Sequence, residues 1–72
     1  MNLTVWECME MLGKYTKVRV RNGEIALVDE PFNLHDYKAY DYPRDYYEPI
    51  MEQVVARVEF LHEYPIIYVR GD

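Results

Sequence analysis

Lys17-Val18-Arg19-Val20-Arg21-Asn22-Gly23-Glu24-Ile25-Ala26-Leu27-Val28 runs as an alternating segment, an Asn-Gly step and a second apolar-rich segment. Strict alternation of apolar and charged residues reads as a strand with one wet face. Asn-Gly predicts a type I′ turn, because that turn needs positive φ at both central positions. A loop at Asn22-Gly23 pairs Val20 with Ile25 and Val18 with Leu27. These pairs share a face, so turn and alternation predict one register. Val18, Val20, Ile25 and Leu27 then form the buried face. Lys17, Arg19 and Arg21 lie on the other, beside Glu24, Ala26 and Val28.

Toward the N-terminus, Thr4-Val5-Trp6-Glu7 has the spacing of a capping box. Val5, Cys8, Met9 and Leu12 follow the i, i+3, i+4, i+7 pattern of one helical face, and Gly13 is placed to close it. A helix over residues 5–12 is predicted. Toward the C-terminus, Pro31 ends the return strand because it has no N–H for a ladder. Phe32 and Leu34 are expected to anchor the next loop to the core. Val54 to Leu61 reads as a strand, with Val54, Ala56, Val58 and Phe60 facing one way. Val55, Arg57, Glu59 and Leu61 face the other. Ile66 to Arg70 is its partner across the loop His62-Glu63-Tyr64-Pro65, which pairs Phe60 with Ile67 and Val58 with Val69.

Between the two hairpins lies Asp36 to Glu48, with five of the eight tyrosines and four carboxylates. Tyr37 to Tyr40 suggests a short edge strand. Pro43 and Pro49 rule out one continuous helix, and a short helix led by Pro49 is predicted near residues 49–53. The expected fold is α+β in a single domain over residues 1–72: an N-terminal helix packed on a small, largely antiparallel sheet of two β-hairpins, with an acidic Tyr-rich middle segment.

A chain of 72 residues buries only about 60% of its unfolded surface, so its core is small. One cysteine excludes an intramolecular disulfide and a four-cysteine zinc site. Association of copies is the remaining support, and a homo-oligomer is expected through Val55, Leu61 and Tyr68 on the second sheet face. No Lys or Arg precedes the first apolar stretch and Glu7 and Glu10 interrupt it, unlike a signal peptide. No apolar run is long enough to cross a bilayer. A soluble cytoplasmic protein is expected.

The net charge of −5 is unevenly spread. Residues 1–28 hold four cations against three acids, and residues 29–63 hold nine acids against three cations. The acidic part repels nucleic-acid backbones, so direct nucleic-acid binding is not expected, and it attracts basic surfaces. His35-Asp36, His62-Glu63 and Cys8 match no metal-ligand spacing. The chain has no serine and no glycine-rich phosphate loop, and Cys8 falls on an apolar helical stripe where cysteine behaves as a small hydrophobe. No catalytic residue, metal or cofactor is therefore assigned.

The layout resembles short proteins encoded by phages and prophages of Gram-positive bacteria. The resemblance rests on Leu3-Thr4-Val5, on Leu12 with Tyr15-Thr16-Lys17-Val18-Arg19-Val20, on Pro49-Ile50-Met51, and on Val55 to Val69. Most members of that group have no assigned activity, so the resemblance implies a setting, the host-cell cytoplasm, and transfers no site residue. This chain departs from the group in its longer middle, which is the tyrosine-acid tract.

Tyrosines give large contact area at low entropy cost, and carboxylates between them present the negative charge that a basic groove binds. The expected function is a small non-enzymatic binding protein, of phage type, that occupies a basic surface of a host protein as a counter-defence inhibitor or nucleic-acid mimic. Its proposed contacts are Tyr37, Tyr40, Asp41, Tyr42, Asp45, Tyr46, Tyr47 and Glu48. The alternative is a homo-oligomer that sequesters a small anionic ligand, such as a nucleotide, through Lys17, Arg19 and Arg21.

Overall fold

A computed structural model describes residues 2–71. The capping box forms. The Thr4 hydroxyl accepts from the Glu7 N–H at 3.2 Å, and the Glu7 carboxylate accepts from the Thr4 N–H at 3.0 Å. It starts α1 (Val5–Leu12), which buries Val5, Cys8 and Met9 as the stripe predicts. Gly13 closes the helix at φ 110, a conformation side chains rarely adopt, and donates to the Met9 carbonyl.

β1 (Arg19–Asn22) and β2 (Ile25–Ala26) form the first hairpin, with its turn one residue later than expected. Asn22 faces Ile25 and Arg21 faces Ala26, so the loop is Gly23-Glu24. Val20 sits opposite Leu27, whose N–H donates to the Val20 carbonyl at 2.9 Å, and not opposite Ile25. Gly23 has φ 60 and no other residue of the loop has positive φ. That is the type II′ pattern, glycine at the first central position, in place of I′. Val18 and Val20 stay buried and Leu27 packs against the core, because moving the loop by one residue keeps the parity of both strands, but β2 ends at Ala26 and Val28, expected on the wet face, turns into the core. Ile25 is displaced to the hairpin tip, where it is 65% exposed.

β3 (Val55–Phe60) and β4 (Pro65–Val69) form the second hairpin. Here too the loop differs by one residue: Phe60 faces Pro65 and Val58 faces Ile67, which leaves Leu61 to Tyr64 as the connection. A bulge between Val55 and Arg57 leaves Ala56 unpaired. It turns Val55 toward the core and Ala56 outward, the reverse of the uninterrupted alternation. Val55 and Tyr68 therefore lie on opposite faces. Leu61 is in the loop, so the expected oligomer patch of Val55, Leu61 and Tyr68 does not form one surface.

The sheet order is β2-β1-β4-β3. Both hairpins are antiparallel, but β1 and β4 join in parallel, with Arg19, Val20 and Arg21 beside Ile66, Ile67 and Tyr68. The sheet is thus mixed. Val18, Val20, Ile67 and Val69 are buried on one face under the helices. Arg19, Arg21, Arg57, Glu59 and Tyr68 alternate to the other face.

The middle segment is helical rather than irregular. Asn33 caps α2 (Leu34–Ala39), its Oδ1 accepting from the Asp36 N–H at 2.7 Å. Tyr37 is therefore in a helix and not in an edge strand. Pro43 precedes α3 (Arg44–Met51), which holds Pro49 inside it instead of at its start. An internal proline costs about 3 kcal/mol. Burial of Ile50 and Met51 offsets it, since each such side chain contributes about 1.5–3 kcal/mol. Phe32 and Leu34 are the anchors expected, and Phe32 also pairs with Val18 by backbone bonds of 2.8 and 3.1 Å.

Candidate functional site

α2, the link through Tyr40 to Pro43, and α3 fold the tyrosine tract back around Phe32. Phe32 is 2% exposed and its ring meets those of Tyr47 at 5.4 Å, Tyr42 at 6.1 Å and Tyr37 at 6.3 Å. Tyr42 and Tyr47 pack edge to face at 5.0 Å, and Trp6 of α1 meets Tyr37 at 5.8 Å. Edge-to-face pairs bring positive ring edges onto negative ring faces. Tyr37, Tyr42 and Tyr47 are half-buried in this layer, so the tract does cover a thin core.

Tyr40 and Tyr46 are different. They are 67% and 54% exposed, and with Tyr42 and Tyr47 they wall an open cleft of about 710 Å³. Phe32 lies at its floor, and Pro31 and Pro43 stiffen its sides. The Tyr46 hydroxyl donates to the Leu27 carbonyl, which fixes that ring against the first hairpin. Asp29, Glu30 and Asp41 line the cleft with exposed carboxylates, and no basic residue lines it. Among the described residues the ion pair is Arg57 with Glu59, far from this acidic group in the sheet. The nearby cations are used elsewhere: Lys38 sits 5.1 Å over the Trp6 ring, and Arg44 lines hollows with Glu48 and Glu52.

The structure thus gathers Tyr40, Asp41, Tyr42, Tyr46 and Tyr47 of the predicted contact set. Tyr37 packs in the aromatic layer. Asp45 and Glu48 lie with Arg44 and Pro49, outside the cleft. Asp29, Glu30 and Phe32 also line the cleft, although the sequence marks them only as a strand end and an anchor. The Asp29-Glu30 doublet before Pro31 is the one signal that points to them.

The other candidates are scattered. Arg19 and Arg21 share the helix-free sheet face. The Arg19 guanidinium lies 5.9 Å over Tyr64, and the Arg21 guanidinium donates to the Gly23 and Glu24 carbonyls of the turn. Lys17 is exposed just before β1. His35 packs against Tyr15 at 4.8 Å with the rings tilted, His62 is in the β3–β4 loop, and Cys8 is in the core, where burial pushes its thiol pKa up. Among the described residues no three of these groups and the acids gather as a metal site. No helix among them is long and apolar enough to cross a membrane.

Burial raises the phenol pKa of Tyr42, and the negative charge of Asp36 and Glu30 adds to it. Tyr47 is raised by burial first, then by Tyr42, Tyr46, Asp29 and Glu30. Both phenols are favoured neutral in the folded state. Their contribution to stability is present below the ordinary phenol value of 10.0 and is lost as pH rises through the raised folded values. In an alkaline absorbance titration, the late phenolate phase is expected to shrink in Tyr42→Phe and in Tyr47→Phe. A late phase unchanged in both variants contradicts the packing of these two rings against Phe32.

No protein-family model, curated protein or solved structure matches this chain.

Proposed function

We propose that this chain is a small non-enzymatic binding protein that occupies a basic surface of a partner protein. On the phage-type reading the partner belongs to the host cytoplasm, and the protein is a counter-defence inhibitor or nucleic-acid mimic. One observation carries the proposal: three exposed carboxylates without a basic neighbour share a cleft with four tyrosines. Unpaired rim carboxylates steer a basic surface to encounter, and desolvated aromatic groups hold it after docking. Asp45 and Glu48 extend the negative field along α3. The second reading, uptake of a small anion by Lys17, Arg19 and Arg21, is supported by two guanidinium groups on one sheet face.

Affinity capture from lysate of the host cell tests the two readings together. A partner held by wild type should be lost with Asp41→Asn, Asp45→Asn and Glu48→Gln combined, and kept with Arg19→Ala and Arg21→Ala. Asp41, Asp45 and Glu48 are exposed, and such surface substitutions usually shift stability by less than about 0.5 kcal/mol, so circular dichroism should be unchanged. Retention by the triple amide with loss in the arginine variants favours the second reading and rejects the first.

A further inference from the structure

We propose that the cleft between the Asp29–Phe32 segment and the start of α3 is a receptor for one arginine side chain of the partner. This rests on the function proposed above and names the group that the cleft accepts. Phe32, Tyr42 and Tyr47 give the cleft aromatic surface at its base, and Tyr40 and Tyr46 rise beside it. A cation over such rings is attracted by the negative charge of their faces. Asp29, Glu30 and Asp41 approach the cleft from two segments of the chain, and no cation among the described residues pairs with them.

Among cations, arginine fits this lining best. A guanidinium is planar, is weakly hydrated and stacks on aromatic rings, and its five donors fit carboxylates in a fork. A lysine ammonium is a compact and strongly hydrated point charge, so it gains less from the rings and loses more water on entering. The protein's own sheet already uses this arrangement: Arg57 lies 4.0 Å over the Tyr68 ring while it pairs with Glu59. The cleft offers the same two partners, ring and carboxylate, to an arginine from another chain.

The test is a nuclear magnetic resonance titration of the isotope-labelled full chain at low salt with three blocked tripeptides. These are Gly-Arg-Gly, Gly-Lys-Gly and Gly-citrulline-Gly, in which citrulline keeps the shape of arginine without its charge. The arginine peptide is expected to shift the ring resonances of Tyr42 and Tyr47 and the amides of Glu30 and Asp41. Citrulline should bind at least about tenfold more weakly, which corresponds to about 1.4 kcal/mol. The lysine peptide should be weaker than arginine by roughly threefold or more. Glu30→Gln with Asp41→Asn should weaken the arginine peptide at least about fivefold. Glu63→Gln, which removes a charge from the β3–β4 loop, should leave it unchanged. Citrulline binding as well as arginine, or shifts that saturate away from the cleft, would overturn the assignment. Polylysine separates this result from the wider reading. If it binds, is released by salt and is lost in the triple amide while the arginine peptide shifts nothing in the cleft, the cleft assignment falls and the binding function stands. If neither probe binds, both are rejected.

Discussion

Phe32→Ala is expected to lower the unfolding free energy by about 3–5 kcal/mol, the range for removing a buried aromatic side chain. Phe32 is buried, its backbone is bridged to Val18, and its ring touches Tyr37, Tyr42 and Tyr47. Removing the ring opens a cavity under three tyrosines at once. A chain of 72 residues has a total stability of roughly 4–11 kcal/mol, so the loss takes a large share of it. Urea unfolding should show a lower midpoint at an unchanged slope. Phe32→Leu keeps most of the buried area and should cost less. A loss under about 1 kcal/mol for the alanine variant would mean that the aromatic layer is not built on this ring.

Replacing Tyr40 and Tyr46 together with alanine is the second large effect, and it falls on binding. These are the two tyrosines of the cleft that solvent reaches most freely. Tyr42 is a poorer probe, because its ring supports the core and its loss would mix folding with binding. Central aromatic hot spots contribute about 2 kcal/mol or more, so partner dissociation should speed up about thirtyfold. Tyr46→Phe separates two parts of this effect, because it removes only the bond to the Leu27 carbonyl. Dissociation unchanged in the double variant would take the tyrosines out of the interface.

What the sequence makes legible follows the range of the interaction. The Thr4–Glu7 box is made within one turn, and it forms as its spacing says. The facing of Val18, Val20 and Val58 is legible because alternation fixes parity, while Ile25, Val28 and Val55 depart from it where the ladder ends or bulges. The loops are not, since moving each by one residue preserves that parity. At Gly23 the choice turns on glycine taking the first central position. The bulge at Ala56 breaks the alternation locally and reverses Val55, which no pattern in Val54 to Leu61 announces. The parallel union of β1 with β4 joins segments remote in sequence, and turn chemistry does not reach that far.

The middle segment misleads in a specific way. Pro43 and Pro49 look like breaks in sequence, but Pro43 precedes α3 and Pro49 is tolerated because Ile50 and Met51 are buried beyond it. Asn33, three residues before Asp36, is a cap that the apolar pattern around it hides. The site is half legible for the same reason. Tyrosines and acids in one tract signal a surface, yet which of them cover the core depends on helices that bring Phe32 beneath them. Asp29 and Glu30 enter only when the chain folds back, so their part in the cleft is a property of tertiary structure.

The most direct test of the proposed binding surface is the salt dependence of the association rate between captured partner and protein, read by stopped flow. Wild type should associate more slowly as salt rises, because screening weakens steering between exposed charges. The variant carrying Asp41→Asn, Asp45→Asn and Glu48→Gln should associate more slowly at low salt and show a shallower dependence, while dissociation changes little. Equal rates and equal slopes for the two proteins would contradict a role for the acidic tyrosine surface in recognising a basic partner.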